Sequence, residues 1–336
     1  MGISDEVAWW AFFLPRQGVQ ALARRLPLAA IRDRLPRVLG ERLRMGLYPA
    51  RVTDAQAVEC ARSHAAWGTP ATLDATRPVR YQAPPRVSIL MVTYGNLELT
   101  RLCLASVQRA AGATPFELIV VDNHSFEGEG DGTVEWLRAQ RGLLPLEVIA
   151  NDDNRGFAPA NNQAAAIARG ELLVFLNNDT VVTPGWLERL IAPLDRDPSI
   201  GLIGPVTNSC GNEAQLGTHY ADLDGMFRFA AEYTAAHAGV TDELPMLTLF
   251  CAAMPRALYR ELSGLDERYQ VGMFEDDDLA MAVHRRGRRV VLARDVYVHH
   301  YGGAAFSRLA PARYLRIWWQ NRRRFEAKWG VRWQKR

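Results

Sequence analysis

Short apolar runs recur through the middle of the chain, and polar or acidic residues close each of them. An apolar run with little polar alternation is typical of a strand that is buried on both faces of a parallel sheet. The runs that predict strands are Val87–Val92, Phe116–Val121, Leu146–Ala150 and Leu172–Leu176. The last of these is apolar throughout, so we expect it to be the central strand.

Between these runs, the spacing of apolar residues indicates helices over about residues 97–110, 133–140 and 158–169. Strands that alternate with helices along a chain are typical of α/β proteins with parallel sheets. The sequence therefore predicts an α/β fold with a doubly wound, mainly parallel sheet.

Three of the predicted strands end in polar side chains that could contact a ligand: Thr93 with Tyr94, Asp122, and Asn178 with Asp179. Neighbouring parallel strands bring their carboxyl ends to one edge of the sheet, where open α/β sheets bind their ligands. We therefore expect these side chains to converge. The chain contains neither G-x-G-x-x-G nor G-x-x-x-x-G-K-[ST], so the sequence supports neither a dinucleotide site nor a P-loop.

Four carboxylates follow one another in Glu275-Asp276-Asp277-Asp278. Such a run is often a solvated acidic loop. Crowded like charges also raise the pKa of some members of a group, which suits a general base. The residues alone leave both interpretations open.

The composition is that of a folded protein, with 48% hydrophobic and 23% charged residues. No apolar run approaches the roughly 20 residues that cross a bilayer. Acidic Asp5 and Glu6 precede the first apolar stretch, which is not the pattern of a signal peptide. The 4 cysteines are scattered without a C-x-x-C pair. We therefore expect neither a zinc site nor a disulfide framework, and a reducing cytoplasmic location.

The chain divides into three predicted parts: a helical N-terminal extension and linker over residues 1–85, an α/β domain over 86–305, and a basic aromatic C-terminal helix over 306–336. The aromatic stretch at 7–14 predicts either a helix packed on the domain or an interfacial membrane anchor. The tryptophan-rich residues 310–333 leave the same two alternatives open. Binding to single-stranded nucleic acid would explain basic aromatic ends but no acidic strand ends, so we expect no nucleic-acid partner.

Taken in order, several segments over about residues 86–305 resemble the family 2 glycosyltransferases, which are inverting enzymes of GT-A fold. The segments that carry the resemblance are Val87–Tyr94, Asp122, Asn154-Arg155-Gly156-Phe157, Asn177-Asn178-Asp179, Gly264-Leu265-Asp266-Glu267, Phe274–Leu279 and His300-Tyr301-Gly302-Gly303. Each segment alone is a weak indication, whereas the ordered set is specific. The Asn-Asn-Asp form is similar to bacterial rhamnosyltransferase-like members of surface-polysaccharide assembly.

The resemblance implies roles for individual residues. It implies a nucleotide-binding site formed by Thr93, Tyr94, Asp122, Arg155, Gly156, Asn178 and Asp179. Asp276 is the implied catalytic base, and Glu275 and Asp278 are expected to orient the acceptor or the loop. The implied cofactor is Mg²⁺ or Mn²⁺, which prefers oxygen ligands. Its implied ligands are Asp179 and His300, with His299 as the alternative.

The sequence departs from the family pattern at two positions. Asn177 stands where the metal motif has its first carboxylate, so Asp179 alone supplies the negative charge. Ala282 stands where many members have arginine, and Arg285 or Arg286 is the expected substitute.

The expected function is transfer of a sugar from a UDP- or dTDP-sugar to an acceptor hydroxyl, with inversion, in the assembly of a cell-surface polysaccharide or glycolipid. The expected partners are the nucleotide-diphospho-sugar donor, a glycan or lipid-linked acceptor, and a membrane surface at the inner face if the protein is peripheral. Two other functions stay open. A sugar-phosphate nucleotidyltransferase shares the opening architecture but has a glycine-rich G-T-R loop that this chain lacks. The second function that stays open is that of a catalytically silent membrane- or glycan-binding module.

Overall fold

A computed structural model describes residues 72–125, 131–269, 271–302 and 311–334. The predicted helical extension lies outside these residues as far as residue 71, as does the aromatic stretch at 7–14. The predicted linker segment from 77 to 86 has no helix or strand, but it packs on the domain. Val79 N donates to Leu143 O at 2.9 Å, and the Tyr81 ring meets the Phe116 ring edge-on at 5.4 Å.

The described residues alternate between strands and helices in the predicted order. The strands are β1 (Val87–Thr93), β2 (Phe116–Asp122), β3 (Leu146–Ala150), β4 (Leu172–Leu176), β5 (Thr180–Val182), β6 (Ile200–Val206), β7 (Thr241–Glu243), β8 (Cys251–Pro255) and β9 (Arg289–His300). The helices are α1 (Leu97–Arg109), α2 (Thr133–Ala139), α3 (Phe157–Ile167), α4 (Trp186–Arg196), α5 (Leu223–Ala236), α6 (Arg256–Glu261), α7 (Glu275–Arg285) and α8 (Pro311–Trp329). The four predicted strands and the three predicted helices all form, within a few residues of their expected bounds.

The strands form one sheet in the order β3-β2-β1-β4-β8-β6-β9-β5, and β7 pairs with β9 off this path. The first four strands are parallel, with Thr93 beside Asp122 and Leu90 beside Phe175. Strand β8 then enters antiparallel to both β4 and β6. Strands β6 and β9 are again parallel. The prediction of a mainly parallel α/β sheet is confirmed. The apolar pattern did not reveal the antiparallel strands, which are β8 inside the sheet and the short β5 and β7 that pair with β9.

Alternation along the strands divides the core between the two faces of the sheet, as it must in a doubly wound fold. In β4, Leu173 and Phe175 belong to the face covered by α3, α5 and α7. Leu172, Val174 and Leu176 belong to the face covered by α1 and α4. Every β4 residue is therefore buried, which explains why the central strand is apolar without a break.

A third, smaller cluster joins the predicted C-terminal helix to the residues before α7. It contains Tyr269, Phe274 and Phe325, with Trp318, Trp329 and Trp333 packed around them. The tryptophans of this segment therefore pack at least partly against the domain. Among the described residues, no helix combines the length and the apolar character needed to cross a membrane. Cys103, Cys210 and Cys251 are free thiols, and Cys60 lies outside the described residues.

The start of β4 requires a glycine at position 170. A Cβ atom there would lie 2.5 Å from the backbone nitrogen of Ser88 in β1. Backbone atoms of a central strand cannot move away cheaply, so we expect Gly170→Ala to lower the free energy of unfolding by about 1–3 kcal/mol. Gly142→Ala is the matched control, because a Cβ atom there meets nothing within 4 Å. Denaturant unfolding of both variants tests this, and equal stabilities would contradict the close approach.

Candidate active site

The carboxyl ends of β1 and β2 meet through a hydrogen bond between two predicted site residues. Thr93 Oγ1 donates to Asp122 Oδ2 at 2.7 Å, and both side chains are buried. Asp122 Oδ1 also accepts from Ser125 N at 2.9 Å, and Asp122 Oδ2 accepts from Ser125 Oγ. The Asp122 carboxylate thus fixes the loop after β2. Tyr94, next to Thr93, is partly exposed at the same edge.

An amide network joins this loop to the segment before α3. Asn123 Nδ2 donates to Gly156 O at 2.9 Å, and Asn151 Nδ2 donates to Asn123 Oδ1 at 2.9 Å. Gly156 has φ 92°, a conformation that favours glycine. Gly156 is therefore held beside the β2 loop, whereas neighbouring Arg155 is exposed and pairs with Asp153 at 3.2 Å.

The segment after β4 places Asn178 and Asp179 differently. Asn178 Nδ2 donates to Thr100 Oγ1 at 2.9 Å and lies 3.5 Å from Gly95 O, so it ties this segment to the loop after β1. Asp179 immediately precedes β5, which pairs antiparallel with the end of β9 so that Thr180 faces His300. That pairing leaves Asp179 Oδ1 3.3 Å from His300 Nε2.

The surroundings of His300 prepare its Nε2 atom to bind a cation. Nδ1 lies 2.7 Å from Ser209 O, which can only accept, so Nδ1 carries a proton and Nε2 of the neutral ring presents its lone pair. Nε2 is buried and makes no hydrogen bond within the described residues. Two ligands of one octahedral Mg²⁺ lie about 3 Å apart, close to the separation from Asp179 Oδ1. This residue pair therefore fits a divalent cation.

Without a cation, the same contact affects the protonation of His300. Burial lowers the pKa of the imidazole, but the Asp179 carboxylate and the Ser209 carbonyl raise it more, so the pKa lies above its ordinary value. A positive charge at this position is thus favourable, whether a proton or a metal ion supplies it. No group of three or more His, Cys, Asp or Glu side chains suited to a metal occurs among the described residues. Further ligands would have to come from the substrate.

The adjacent histidine has another environment. His299 Nδ1 lies 2.6 Å from Tyr220 Oη, and its ring meets the Tyr301 ring edge-on at 4.7 Å. Successive side chains on a strand point to opposite faces, so His299 and His300 cannot both face Asp179. Of the two alternatives left open by the sequence, His300 is the histidine that lies beside Asp179, and its role as a metal ligand stays a prediction.

Sequence reasoning missed the residues that orient His300. Asn208 Nδ2 donates to His300 O at 3.0 Å, and His300 N donates to Asn208 Oδ1 at 2.8 Å. Ser209 supplies the carbonyl that fixes the imidazole. A signal was present, because the apolar run of β6 ends in Thr207-Asn208-Ser209, the same change from apolar to polar that marks the other strand ends.

The acidic run is the first turn of α7. Glu275 is 9% exposed, and its Oε2 has no hydrogen-bond partner within the described residues. Burial, together with the nearby carboxylates of Asp276, Asp277 and Asp278, raises the pKa of Glu275 well above its ordinary value. Burial also raises the pKa of Asp276, to about 6, against the opposing effect of backbone N–H groups. The run is therefore a partly desolvated turn rather than a solvated loop.

The other two carboxylates are held by the C-terminal segment. Asp278 accepts from Tyr269 Oη at 2.9 Å, Trp329 Nε1 at 2.7 Å and Lys328 Nζ at 2.7 Å. Asp277 Oδ1 accepts from Trp333 Nε1 at 3.1 Å. These contacts hold Asp278 against the C-terminal segment, and its predicted role in orienting the acceptor or the loop stays a prediction.

Backbone contacts connect the acidic turn with the strand ends. Phe157 N, next to Gly156, donates to Val271 O at 3.3 Å. The β2 loop, the start of α3 and the residues before α7 thus form one continuous rim. Two arginines, Arg285 and Arg286, were predicted to replace the arginine that many family members have at position 282, and both already have partners. Arg285 stacks on the Trp329 ring at 4.6 Å, and Arg286 pairs with Glu261 at 2.6 Å.

The sheet order and the polar strand ends are typical of an α/β protein that binds a ligand at the carboxyl edge of its parallel strands. The comparison with known families specifies the class. Residues 88–263, more than half of the chain, match the model of glycosyl transferase family 2, and the chain belongs to this family.

Two relatives match long stretches of the chain. The O-antigen biosynthesis protein RfbC of Myxococcus xanthus is 28% identical over 259 residues, which are 71% of this chain and 19% of that protein. The uncharacterized protein y4gI of Sinorhizobium fredii is 28% identical over 233 residues, 67% of this chain and 25% of that protein. The chain therefore spans a quarter or less of the length of these relatives.

Solved structures share the fold. The crystal structure of GalNAc-T7 with UDP, GalNAc and Mn²⁺ superposes with a TM-score of 0.50 at 17% identity, covering 64% of this chain and 42% of that one. Staphylococcus aureus TarS 1–349 in complex with UDP-GlcNAc superposes with a TM-score of 0.50 at 18% identity, covering 69% and 64%. At these identities the likeness shows the GT-A fold alone.

Removing the Asp276 carboxylate should stabilise the protein at neutral pH. A carboxyl group whose pKa is raised on folding binds more protons in the native state, so stability falls as pH rises from about 4 through the native pKa. Because the native pKa of Asp276 is about 6, the loss is complete by pH 8. We expect Asp276→Asn to raise the thermal midpoint at pH 8 by roughly 3 °C, with a smaller change at pH 5.

Thermal unfolding of wild type and variant at both pH values measures this difference. Glu232→Gln, an exposed substitution on α5, is the control and should change neither midpoint. An Asp276→Asn midpoint that rises equally at pH 5 and pH 8 would show that the Asp276 carboxyl is not perturbed by folding.

Proposed function

We propose that this glycosyltransferase moves a sugar, with inversion, from a nucleotide-diphospho-sugar to an acceptor hydroxyl. One observation carries the proposal: a buried His300 Nε2 without a hydrogen-bond partner lies 3.3 Å from the Asp179 carboxylate at the carboxyl edge of the sheet. A diphosphate is a suitable ligand for a cation held by Asp179 and His300. Its oxygens would complete the metal coordination, and the cation would neutralise its negative charge. The donors bound in GT-A structures such as TarS support the same class of substrate.

The reaction requires a base for the acceptor hydroxyl, and Asp276 is the residue we propose. In this reaction the acceptor oxygen attacks the anomeric carbon, the bond from that carbon to the diphosphate oxygen breaks, and the hydroxyl proton passes to the Asp276 carboxylate. The leaving group departs as the nucleoside diphosphate, and attack from the opposite face inverts the anomeric centre. A carboxylate with a pKa of about 6 is mostly ionised at neutral pH and is a stronger base than an ordinary aspartate.

Glu275 is suited to a different role from Asp276. Burial and three acidic neighbours raise the pKa of Glu275 well above its ordinary value. A carboxyl group that keeps its proton donates a hydrogen bond, and its unpartnered Oε2 is available for that purpose. We propose that protonated Glu275 orients the acceptor while ionised Asp276 accepts the proton. On this proposal the two neighbouring carboxyl groups have different roles, one as hydrogen-bond donor and one as base.

We propose Asp179 and His300 as the residues that hold a divalent cation. Bound there, Mg²⁺ or Mn²⁺ would stabilise the negative charge that develops on the leaving diphosphate. The Ser209 carbonyl fixes the tautomer of His300, and the Asn208 side chain forms hydrogen bonds with both the N–H and the carbonyl of the His300 backbone. Such outer contacts orient a ligand and increase its affinity for the metal. We propose that the nucleoside binds along the strand ends and the start of α3, where it would contact Thr93, Tyr94, Asp122, Gly156 and Asn178.

The biological setting that we propose is assembly of a cell-surface polysaccharide or glycolipid, since RfbC of Myxococcus xanthus is named for O-antigen biosynthesis. Arg313, Arg316 and Arg323 are exposed on α8 at spacings that place them on one helical face. Such a face suits an anionic membrane surface that carries a lipid-linked acceptor. This feature favours peripheral attachment as a second property of the proposed enzyme.

Activity assays separate the transferase from a catalytically silent binding module. We expect wild type to release nucleoside diphosphate from at least one of UDP-glucose, UDP-N-acetylglucosamine and dTDP-rhamnose, and Asp276→Asn to lower that rate about 100-fold or more. Donor binding should persist in the variant, since Asp276 faces the acceptor. Equal rates in wild type and Asp276→Asn would eliminate Asp276 as the base.

Metal binding is tested by thermal shift with UDP and Mn²⁺ together. Ligand binding to the native state raises the midpoint. We expect the increment that Mn²⁺ adds to the UDP shift to be lost in Asp179→Asn and in His300→Ala. The matched control is His299→Ala, the adjacent residue that faces Tyr220, which should retain the increment. Loss of the increment in His299→Ala with its retention in His300→Ala would reverse the ligand assignment.

A further inference from the structure

The turn that presents the acidic residues adopts an unfavourable backbone conformation. Met273 has φ 79° and Phe274 has φ 77°, so two consecutive non-glycine residues are left-handed immediately before Glu275. Each such residue costs about 1–2 kcal/mol relative to the ordinary conformation. A turn of this kind persists only where surrounding contacts impose it, and such turns cluster at functional sites.

The contacts that impose this turn come from α8. Asn321 is 1% exposed, and its Nδ2 lies 2.7 Å from Tyr269 O, 2.9 Å from Gly272 O and 3.1 Å from Met273 O. A carboxamide has two N–H donors, so three carbonyl groups share them. Arg324 Nη1 donates to Asn321 Oδ1 at 2.8 Å and thereby holds the amide in this orientation.

Aromatic rings of the same segment hold the Phe274 side chain. Its ring lies 5.8 Å from the Trp318 ring, 5.9 Å from the Phe325 ring and 5.3 Å from the Trp333 ring, centroid to centroid. Phe274 is 4% exposed. Burial of one phenylalanine contributes roughly 1.5–3 kcal/mol, which is enough to offset much of the backbone cost of the turn.

The same segment also selects which carboxylates stay available. Asp278 is occupied by Lys328 and Trp329, and Asp277 by Trp333. The hydrogen bonds of Lys328, Trp329 and Trp333 reach Asp277 and Asp278 and not the side chains of Glu275 or Asp276. The pattern distinguishes two structural carboxylates from the two that the proposed reaction uses.

From these contacts we propose that α8 is a positioning element of the active site, with Asn321 as its central positioning residue. Asn321 holds the left-handed turn 272–274 so that Asp276 meets the acceptor hydroxyl in the geometry required for proton transfer. The proposal deepens the proposed function and rests on it for the catalytic consequence, although the hold on the turn is a property of the fold alone.

Hydrogen–deuterium exchange tests the hold on the turn without any assay of activity. Asn321→Leu removes the donors at similar volume and adds no charge. We expect peptides covering residues 270–280 to exchange about tenfold faster in this variant, because their protection depends on local opening, while peptides from β1 and β4 stay unchanged. The matched control is Gln320→Leu, the exposed neighbouring amide on the same helix, which should leave the exchange of 270–280 unchanged.

Kinetics with the donor that wild type hydrolyses tests the catalytic consequence. We expect Asn321→Leu to lower kcat about tenfold or more with the donor KM within about twofold, because misplacement affects the base and not the nucleotide site. Met273→Gly in the same variant should restore part of kcat, since glycine adopts the left-handed conformation without cost. A role in global stability alone would not be rescued by this local change.

The outcomes separate the two proposals. If 270–280 exchanges at the wild-type rate in Asn321→Leu, or if kcat is retained, α8 does not position the turn for catalysis. If exchange increases but wild type releases no nucleoside diphosphate from any donor, the proposed function fails while the hold on the turn stands. If Asn321→Leu does not fold, the same measurements on Trp329→Phe decide, because phenylalanine keeps a smaller aromatic ring at this position and has no N–H donor for Asp278.

Discussion

The antiparallel pairing of β5 with the end of β9 is the interaction on which the site depends. It brings Thr180 beside His300, and Tyr301 N donates to Asp179 O at 2.9 Å to close the pair. Because side chains alternate along a strand, a register slip of one residue would put His299 in place of His300. The register is fixed from the other side by Asn208, which accepts from and donates to the His300 backbone. One short strand pair thus joins two residues that are more than 100 positions apart in the sequence and decides which histidine meets Asp179.

The two sides of the site are built on opposite energetic principles. On the strand side, buried polar groups satisfy one another: Asp122 accepts from Thr93 and Ser125, and Asn151 bonds with Asn123 and Gln163. Such satisfied networks are rigid and stabilising. On the acidic side, carboxyl groups are buried near one another and the backbone before them is left-handed, both of which lower stability. The aromatic cluster and the hydrogen bonds of Asn321 offset the cost of this strained turn. The acidic residues are therefore held in a conformation that they would not adopt without these contacts.

The sequence predicted the parallel half of the sheet well, and the physical reason is that β1, β2 and β4 are buried on both faces and must be apolar. It did not predict β8, because a short alanine-containing strand carries no sign of its direction, and only its place between β4 and β6 makes it antiparallel. The choice between His299 and His300 depends on strand register, which a local pattern cannot specify. The partners of Asp278 were equally hidden, since Lys328 and Trp329 reach it from a helix distant in the sequence. The polar end of β6 followed the same pattern as the other strand ends and could have been recognised.

The replacement of the usual first carboxylate by Asn177 also has a physical consequence. Asn177 contributes backbone contacts, with its N–H donating to Phe250 O at 2.7 Å and its carbonyl accepting from Thr180 Oγ1 at 2.7 Å, so the fold of the loop does not require a charged side chain there. Asn178 donates to Thr100, a bond for which a carboxylate has no hydrogen. On the proposed function, neutral His300 is the second metal ligand, so Asp179 is the one carboxylate of this pair and a negatively charged diphosphate meets less repulsion than it would beside two. On the proposed function, the cation in this enzyme would keep more of its positive charge for the leaving diphosphate, because fewer anionic protein ligands neutralise it.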